Sequence, residues 1–290
     1  MVWAVPKQRL PNGWGDGGVG LSLTVLGRSG PYPEAGGACS GYLVTAGGTR
    51  VLVDCGNGIT GNLLQRCSLA ELDAIVLSHL HPDHVSDLYV MRYGFHYQLM
   101  TGVRTKGPIP VYAPREPAGE FARLAYPDSL DVRGYWLEAG TFTVDPGTAG
   151  DGVTGGAGGS DSHLVIGDLR FTFAPTRHAI PCFAMAIEAG GRRLVYSADT
   201  GLSPEVEELA RGAHLFLCEA NMVKGQEEAA ARVGHLTGEQ AARMAADAGV
   251  ERLVLTHLLP DTPPQRVYEE ARAVFPGSLD LATVLHTYEV

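Results

Sequence analysis

The sequence is short of positive charge and contains no apolar run of membrane-spanning length. Its 290 residues carry 22 Lys plus Arg against 32 Asp plus Glu, a net charge of −10 with neutral histidines. A broad electrostatic footprint for nucleic acid is therefore disfavoured, and only local basic patches remain open. A bilayer span needs about 20 consecutive apolar residues, and none occurs. The first stretch, MVWAVPKQRLPNGWGDGG, also lacks an apolar core of signal-peptide length. Export and membrane insertion find no support, and a cytoplasmic enzyme is the expectation. The five cysteines, Cys39, Cys55, Cys67, Cys182 and Cys218, are odd in number, scattered and without a CxxC pair. That pattern argues against a zinc ribbon and against a disulfide framework, and leaves buried thiols. No fixed-period repeat is present, so a solenoid is not indicated.

What is there is a chain of 45% apolar and 19% charged residues, enough for one large domain with a substantial core. β-rich apolar runs recur: LSLTVLG, GYLVT, RVLVDCG, DAIVLSH, IPVYAP, LRFTFAP, CFAMAIEAG, RRLVYSADT, HLFLCEA and ERLVLTHL. Helical stretches lie between several of them. Thr237 caps one that Gly249 ends, and PPQRVYEEARAVFPG opens on prolines. The combination predicts sheets covered by helices, an α/β layered fold. We expect an N-terminal extension over residues 1–20, with Trp3 and Trp14 placed to cover a site or a partner subunit, and a single domain over 21–290. The glycine-rich stretch within 141–162 reads as a flexible surface loop. YVMRYGFHYQLM, from Tyr89 to Met100, reads as a helix with an ordinary buried face, with Arg92 and Tyr97 as candidate substrate contacts.

The densest chemistry is LSHLHPDHVSDL, Leu77 to Leu88, which follows the apolar run DAIVL. His79 and His81 are two apart, so an extended backbone points both imidazoles the same way. Pro82 then breaks the strand and Asp83 and His84 follow. Neutral imidazole and ionised carboxylate are the donors that zinc, manganese or iron(II) accept, and such a concentration of buried polar groups would otherwise be costly. Further donors stand at the carboxyl ends of apolar runs: His178 after FTFAPTR, Asp199 after RRLVYSA and His257 after ERLVLT. In open α/β sheets that edge is where ligands gather.

These motifs resemble the metallo-β-lactamase-fold hydrolases, and within them the branch of tRNA 3′-processing endonucleases (ribonuclease Z) and related phosphodiesterases. The resemblance covers nearly the whole chain. It rests on HLHPDH, which matches HxHxDH, on RHAIPCFAMAIE, on YSADT beside the branch's SGDT, and on CEAN, GHLTGEQAA and LTHLLP. It implies a four-layer αββα sandwich of two mixed sheets flanked by helices, with two divalent metal ions at one edge. Zn2+ is the default, with Mn2+ or Fe2+ also known in the fold. Carried over, His79, His81 and His178 hold one ion, Asp83, His84 and His257 the other, and Asp199 bridges. The branch's HEAT motif reads CEAN here, keeping Glu219 but placing Cys218 where histidine is usual, and its HST reads HLT, keeping His235. Only AIPCFAMAIEAGGRRLVYSA separates His178 from Asp199, too short for the long basic arm of the tRNA-processing members. tRNA is therefore not the expected substrate.

The expected activity is that of a dinuclear hydrolase acting on a small or nucleotide-like phosphodiester. Two divalent ions can share a water and lower its pKa towards neutrality. Asp83 is expected to steer that water or take its proton, and His235, oriented by Glu219, to protonate the leaving group. The alternative is an acyl hydrolase, a lactonase or thioesterase, because the same ligand set serves carbon as well as phosphorus. A non-hydrolytic metal sensor would not need all seven donors, and all seven are present. His96, His163, His214 and His286 match no motif and read as structural. The pattern does not determine oligomeric state, and a homodimer is one admissible arrangement.

Overall fold

The computed structural model describes residues 19–126, 129–138, 141–145 and 163–290. The expected N-terminal extension falls, up to residue 18, outside the described residues, as does most of the glycine-rich stretch, 146–162.

Two sheets face one another. In spatial order the first runs Thr287–Glu289, Leu21–Gly27, Gly41–Ala46, Thr49–Val53, Ala74–Val76, Ile109–Pro114, Leu130–Glu138 and Thr141–Val144. The second runs Ser278–Leu281, Arg252–Thr256, Leu215–Glu219, Arg192–Tyr196, Phe183–Ala189, Leu169–Pro175 and Leu164–Ile166. Both are mixed: in the first, parallel strands lie between antiparallel pairs at either end, and in the second, antiparallel strands occupy one side and parallel strands the other. Helices Ile59–Leu63, Leu88–Met100 and Ala118–Leu124 contribute to the apolar cluster on the outer face of the first sheet, and Pro204–Ala210, Gly238–Asp247 and Pro264–Arg272 to that of the second. The four-layer αββα sandwich expected from the resemblance is the fold.

Period-two alternation sorts the side chains into three apolar layers. Leu21, Leu23 and Val25 point into the layer between the sheets, where Phe171, Met185, Leu194 and Leu217 meet them. Leu26, at the opposite parity, faces the outer layer with Leu43, Leu52 and Ile75, and the pairing register shifts between Val25 and Gly27. The Thr237 hydroxyl accepts a hydrogen bond from the Gln240 amide and the Gln240 side-chain oxygen accepts one from the Thr237 amide, a capping box that opens the helix Gly238–Asp247.

One expectation is corrected. Thr141–Val144 is a strand paired with Leu130–Glu138, because Thr-Phe-Thr-Val supplies β-branched and aromatic residues before the glycines begin. Leu88–Met100 forms the expected helix with a buried face, Leu88, Met91 and Phe95, and exposes Val90, Tyr93, Tyr97 and Met100. No helix among the described residues is long and apolar enough to cross a membrane. All five cysteines are free and buried.

Candidate metal centre

The parallel strands of both sheets end at one edge, and the donors project from those ends. Thr49–Val53 leads into Asp54, Ala74–Val76 into the HLHPDH segment, Arg192–Tyr196 into Asp199, Leu215–Cys218 into Glu219, and Arg252–Thr256 into His257. Asp54, Ala198 and His257 have φ of 57°, 51° and 53°, left-handed values rare outside glycine. The chain thus turns sharply where each of these strands stops. The strand before the motif ends at Val76, so His79 and His81 lie past it, His81 on extended backbone, and Pro82 opens a helical turn, Pro82–Val85, that carries Asp83 and His84. Pro82 thus does more than end the extended run: at the first helical position its missing amide hydrogen costs nothing.

The seven expected donors converge in two groups that share Asp199: His79, His81, His178 and Asp199, then Asp83, His84, Asp199 and His257. Within each group the donor atoms all lie within 4.8 Å of one another. His81 Nδ1 is 3.2 Å from His79 Nε2 and 3.0 Å from His178 Nε2. His257 Nε2 is 3.1 Å from Asp83 Oδ2 and 3.4 Å from Asp199 Oδ2. His84 Nε2 stands 3.3 Å from Asp199 Oδ1, yet both atoms are buried without a hydrogen bond of good geometry. Buried polar atoms are normally satisfied. Lone pairs aimed at common points, two of them orphaned, suit a pair of divalent cations, and oxygen and imidazole nitrogen suit zinc, manganese or iron(II).

The charges agree. Burial alone would strip a proton from His84, but Asp199, Asp83 and Asp54 outweigh it and hold its affinity for positive charge well above the usual imidazole range. Burial would raise the Asp199 carboxyl, but His257 and His84 hold it well below the usual carboxylate range.

A second set of residues fixes the donors. Asp54, fully buried, accepts from His84 Nδ1 at 2.8 Å, from the Ser78 amide at 2.7 Å, from Ser78 Oγ at 2.8 Å and from Tyr196 Oη at 2.9 Å. His178 Nδ1 donates to the Gly234 carbonyl at 3.0 Å. Asn221 Nδ2 donates to the carbonyls of Gly30 and His257, both at 3.1 Å. Tethers of this kind fix which ring nitrogen faces a metal. The motif reading above did not single out Asp54 or Asn221. Asp54 had a signal, an acid closing the apolar run RVLVD; the role of Asn221 depends on contacts with residues as far away as Gly30.

Glu219 and His235 form a third group with His257. His235 Nδ1 donates to Glu219 Oε1 at 2.8 Å, and its ring centroid is 5.2 Å from those of both His178 and His257, one candidate donor from each group. Glu219 also accepts the amides of Thr200 at 2.7 Å and Leu236 at 3.2 Å. Burial would lower His235, but the charge and hydrogen bond of Glu219 push it up to about 9. Beside His178 opens a cavity of about 510 Å3 with apolar walls from Leu137, Pro175, Ala179, Ile180, Pro181 and Phe183.

The remaining candidates lie elsewhere. The Arg92 guanidinium lies over Tyr89, Tyr93 and Tyr126, and Tyr97 is exposed on the helix surface. His214 accepts the Arg193 amide, His96 packs on Tyr126, His163 contacts Arg170 and His286 contacts Tyr288.

A family profile described as the beta-lactamase superfamily domain matches residues 49–258. The probable metallo-hydrolase YhfI of Bacillus subtilis is 30% identical, over 90% of this chain and 97% of its own length. A ribonuclease Z of Bradyrhizobium is 31% identical over 89% of this chain and 96% of its own. The crystal structure of Bacillus subtilis YhfI, a metallo-beta-lactamase fold protein, superposes with a TM-score of 0.80 at 27% identity, covering 94% of this chain and 100% of that one.

Proposed function

Because the chain belongs to the beta-lactamase superfamily and is one of its metallo-hydrolases, we propose that it cleaves a phosphodiester bond in a small or nucleotide-like substrate, using two divalent cations. One observation carries this reading: a hydrogen-bonded Glu219–His235 pair leans against a ligand of each of two donor groups that share Asp199. When bound, two such cations would supply water acidic enough to act as a nucleophile near neutral pH, and positive charge for the developing oxyanion. His79, His81 and His178 would hold one, Asp83, His84 and His257 the other, with Asp199 between them.

The protein's own groups supply the rest. Asp83 is the more accessible carboxylate of the second group, 8% exposed against 2% for Asp199, and steers the attacking water and takes its proton. Glu219 engages Nδ1 of His235, so proton delivery to the leaving oxygen falls to Nε2 of that ring. The strands Phe183–Ala189 and Arg192–Tyr196 form a hairpin closed at Gly190 and Gly191. No arm extends between His178 and Asp199, which supports a substrate smaller than tRNA. The apolar cavity beside His178 keeps the acyl-hydrolase alternative in play, because it suits an acyl chain as well as a planar base.

Protein loaded with zinc, manganese or iron is assayed on bis(4-nitrophenyl) phosphate, a homoserine lactone and an acyl thioester. Turnover of the diester alone is expected. Turnover of lactone or thioester instead replaces the reading with acyl hydrolysis, and inertness towards all three at full metal occupancy removes the enzymatic proposal.

A further inference from the structure

Acidic residues outnumber basic ones 32 to 22 in this chain, so an exposed arginine ordinarily finds a carboxylate. Arg115 pairs with Asp145, Arg123 with Glu120, Arg211 with Glu208, Arg243 with Glu239 and Arg266 with Glu270. Arg177 and Arg232 are exposed and do not: among the described residues neither guanidinium makes a hydrogen bond or an ion pair. Both stand beside the candidate metal centre. Arg177 immediately precedes His178, and Arg232 lies in the last turn of the helix Glu227–Val233, just before Gly234 and His235.

The backbone of Arg177 belongs to the same hydrogen-bonded unit as the Glu219–His235 pair. Its amide donates to Thr200 Oγ1 at 3.2 Å, its carbonyl accepts the Gly201 amide at 2.8 Å, and the Thr200 amide donates to Glu219. Gly234 fits against it so tightly that a Cβ there would sit 2.7 Å from the Arg177 carbonyl. Thr176 and His178 line the apolar cavity and Arg177, between them, does not, so its side chain leaves on the other side of the chain. The segments that meet around it, 176–182, 200–204 and 229–238, carry two arginines and no Asp or Glu. Leu202 and Val233 on the last two are 55% and 44% exposed, a further sign of a surface that something covers.

Two nearby acids could have claimed these cations. Glu205 feels the charge of Arg177, but its hydrogen bond comes from Ser203 Oγ at 2.8 Å. Glu228 stands four residues before Arg232, the spacing of a helical ion pair, and the pair is not made. A free guanidinium is a permanently charged fork that matches phosphate oxygens in pairs. In a chain of net charge −10, such cations also offset the repulsion that an anionic substrate meets.

We propose that Arg177 and Arg232 form an anion subsite for a second phosphate carried by the leaving group of the diester. This rests on the phosphodiester reading above and on His235, which hands its proton to that leaving group. The surroundings of His178 are then divided, neutral and apolar at the cavity and cationic on the opposite side. A diester with a phosphate beyond the scissile one is preferred to a plain diester of similar size.

Calorimetric titration of metal-loaded protein with thymidine 5′-monophosphate, thymidine 3′-monophosphate and thymidine 3′,5′-bisphosphate tests this without turnover. The bisphosphate is expected to bind about tenfold more tightly than either monophosphate, the gain from one added charge-assisted contact. The doubly substituted Arg177→Ala, Arg232→Ala protein loses that gap and keeps its monophosphate affinity, and Arg177→Lys, which retains the charge without the fork, keeps part of the gap. Arg123→Ala, which removes the same charge from a helix on the outer face of the first sheet, leaves the gap whole. Equal wild-type affinity for bisphosphate and monophosphates overturns the proposal, as does a gap that survives the double substitution. A protein that turns over bis(4-nitrophenyl) phosphate but shows no gap refutes the subsite alone. A gap in a protein that turns over no diester overturns the reaction, and the leaving-group assignment with it, while the anion subsite stands.

Discussion

Asp54 touches none of the donor groups' open faces, yet it fixes the one imidazole whose outward nitrogen is otherwise orphaned. Replacing it with Asn removes the charge while keeping the shape. Metal affinity is expected to fall ~10–100-fold, the usual effect of removing such a tether, with the fold retained; competition against a chromophoric chelator measures it, and unchanged affinity would deny Asp54 this role. His235 makes the opposite prediction. His235→Ala is expected to lower turnover ~100–10,000-fold, the range for a missing proton donor, while elemental analysis still finds both metals. Loss of metal would make His235 a structural support of His178 and His257. At this scale most of the candidate site was legible in the sequence, since His178, Asp199 and His257 each close an apolar run and the HLHPDH cluster is dense in donors. Asp54 closes such a run as well. It went unnoticed because one acid at a strand end is ordinary, and only its four hydrogen bonds to Ser78, His84 and Tyr196 set it apart.

At the scale of elements, the site depends on where strands stop and how closely the next loop approaches. Gly30 lies against His257: a Cβ there would sit 2.0 Å from its Nε2. Contacts that short force the ring or the loop to move. Gly30→Ala is therefore expected to displace His257 and to reduce the bound metal from two equivalents to one, read by elemental analysis on protein with unchanged circular dichroism; two retained equivalents would show that the loop yields instead. The central strands and the capped helix Gly238–Asp247 could be read from period and capping residues. Leu130–Glu138, Leu164–Ile166, Ser278–Leu281 and Thr287–Glu289 could not. The last three are only three or four residues long and lie at sheet edges, where pairing with one neighbour, more than local pattern, makes them strands. The helix Leu88–Met100 was legible as a helix, but a period says only which residues share a face, not whether that face is covered.

Across the whole molecule, a buried nest of carboxylates and imidazoles sits at the edge of the inter-sheet core, and cations would offset its desolvation. A ligand present at a thousandfold excess over its dissociation constant stabilises the native state by ~4 kcal/mol. For a chain this long that corresponds to a rise on the order of 10 °C in the unfolding midpoint. Chelation is expected to reverse it and abolish activity, and added zinc to restore both, followed by thermal unfolding; an unmoved midpoint after proven metal removal would mean the cluster is stable without cations. The sequence by itself determined the layered α/β class, through alternation in the strands and capped periodic helices, and pointed to seven candidate donors, because donor chemistry and strand-end position are local properties. Only the tertiary structure decided that residues 174 positions apart, His257 and Asp83, lie 3.1 Å from one another, that Asp54 and Asn221 tether His84 and His257, and that one helix faces outward with an apolar row. Those facts depend on how two sheets stack and where their edges meet, and no window along the chain contains both sides of such a contact.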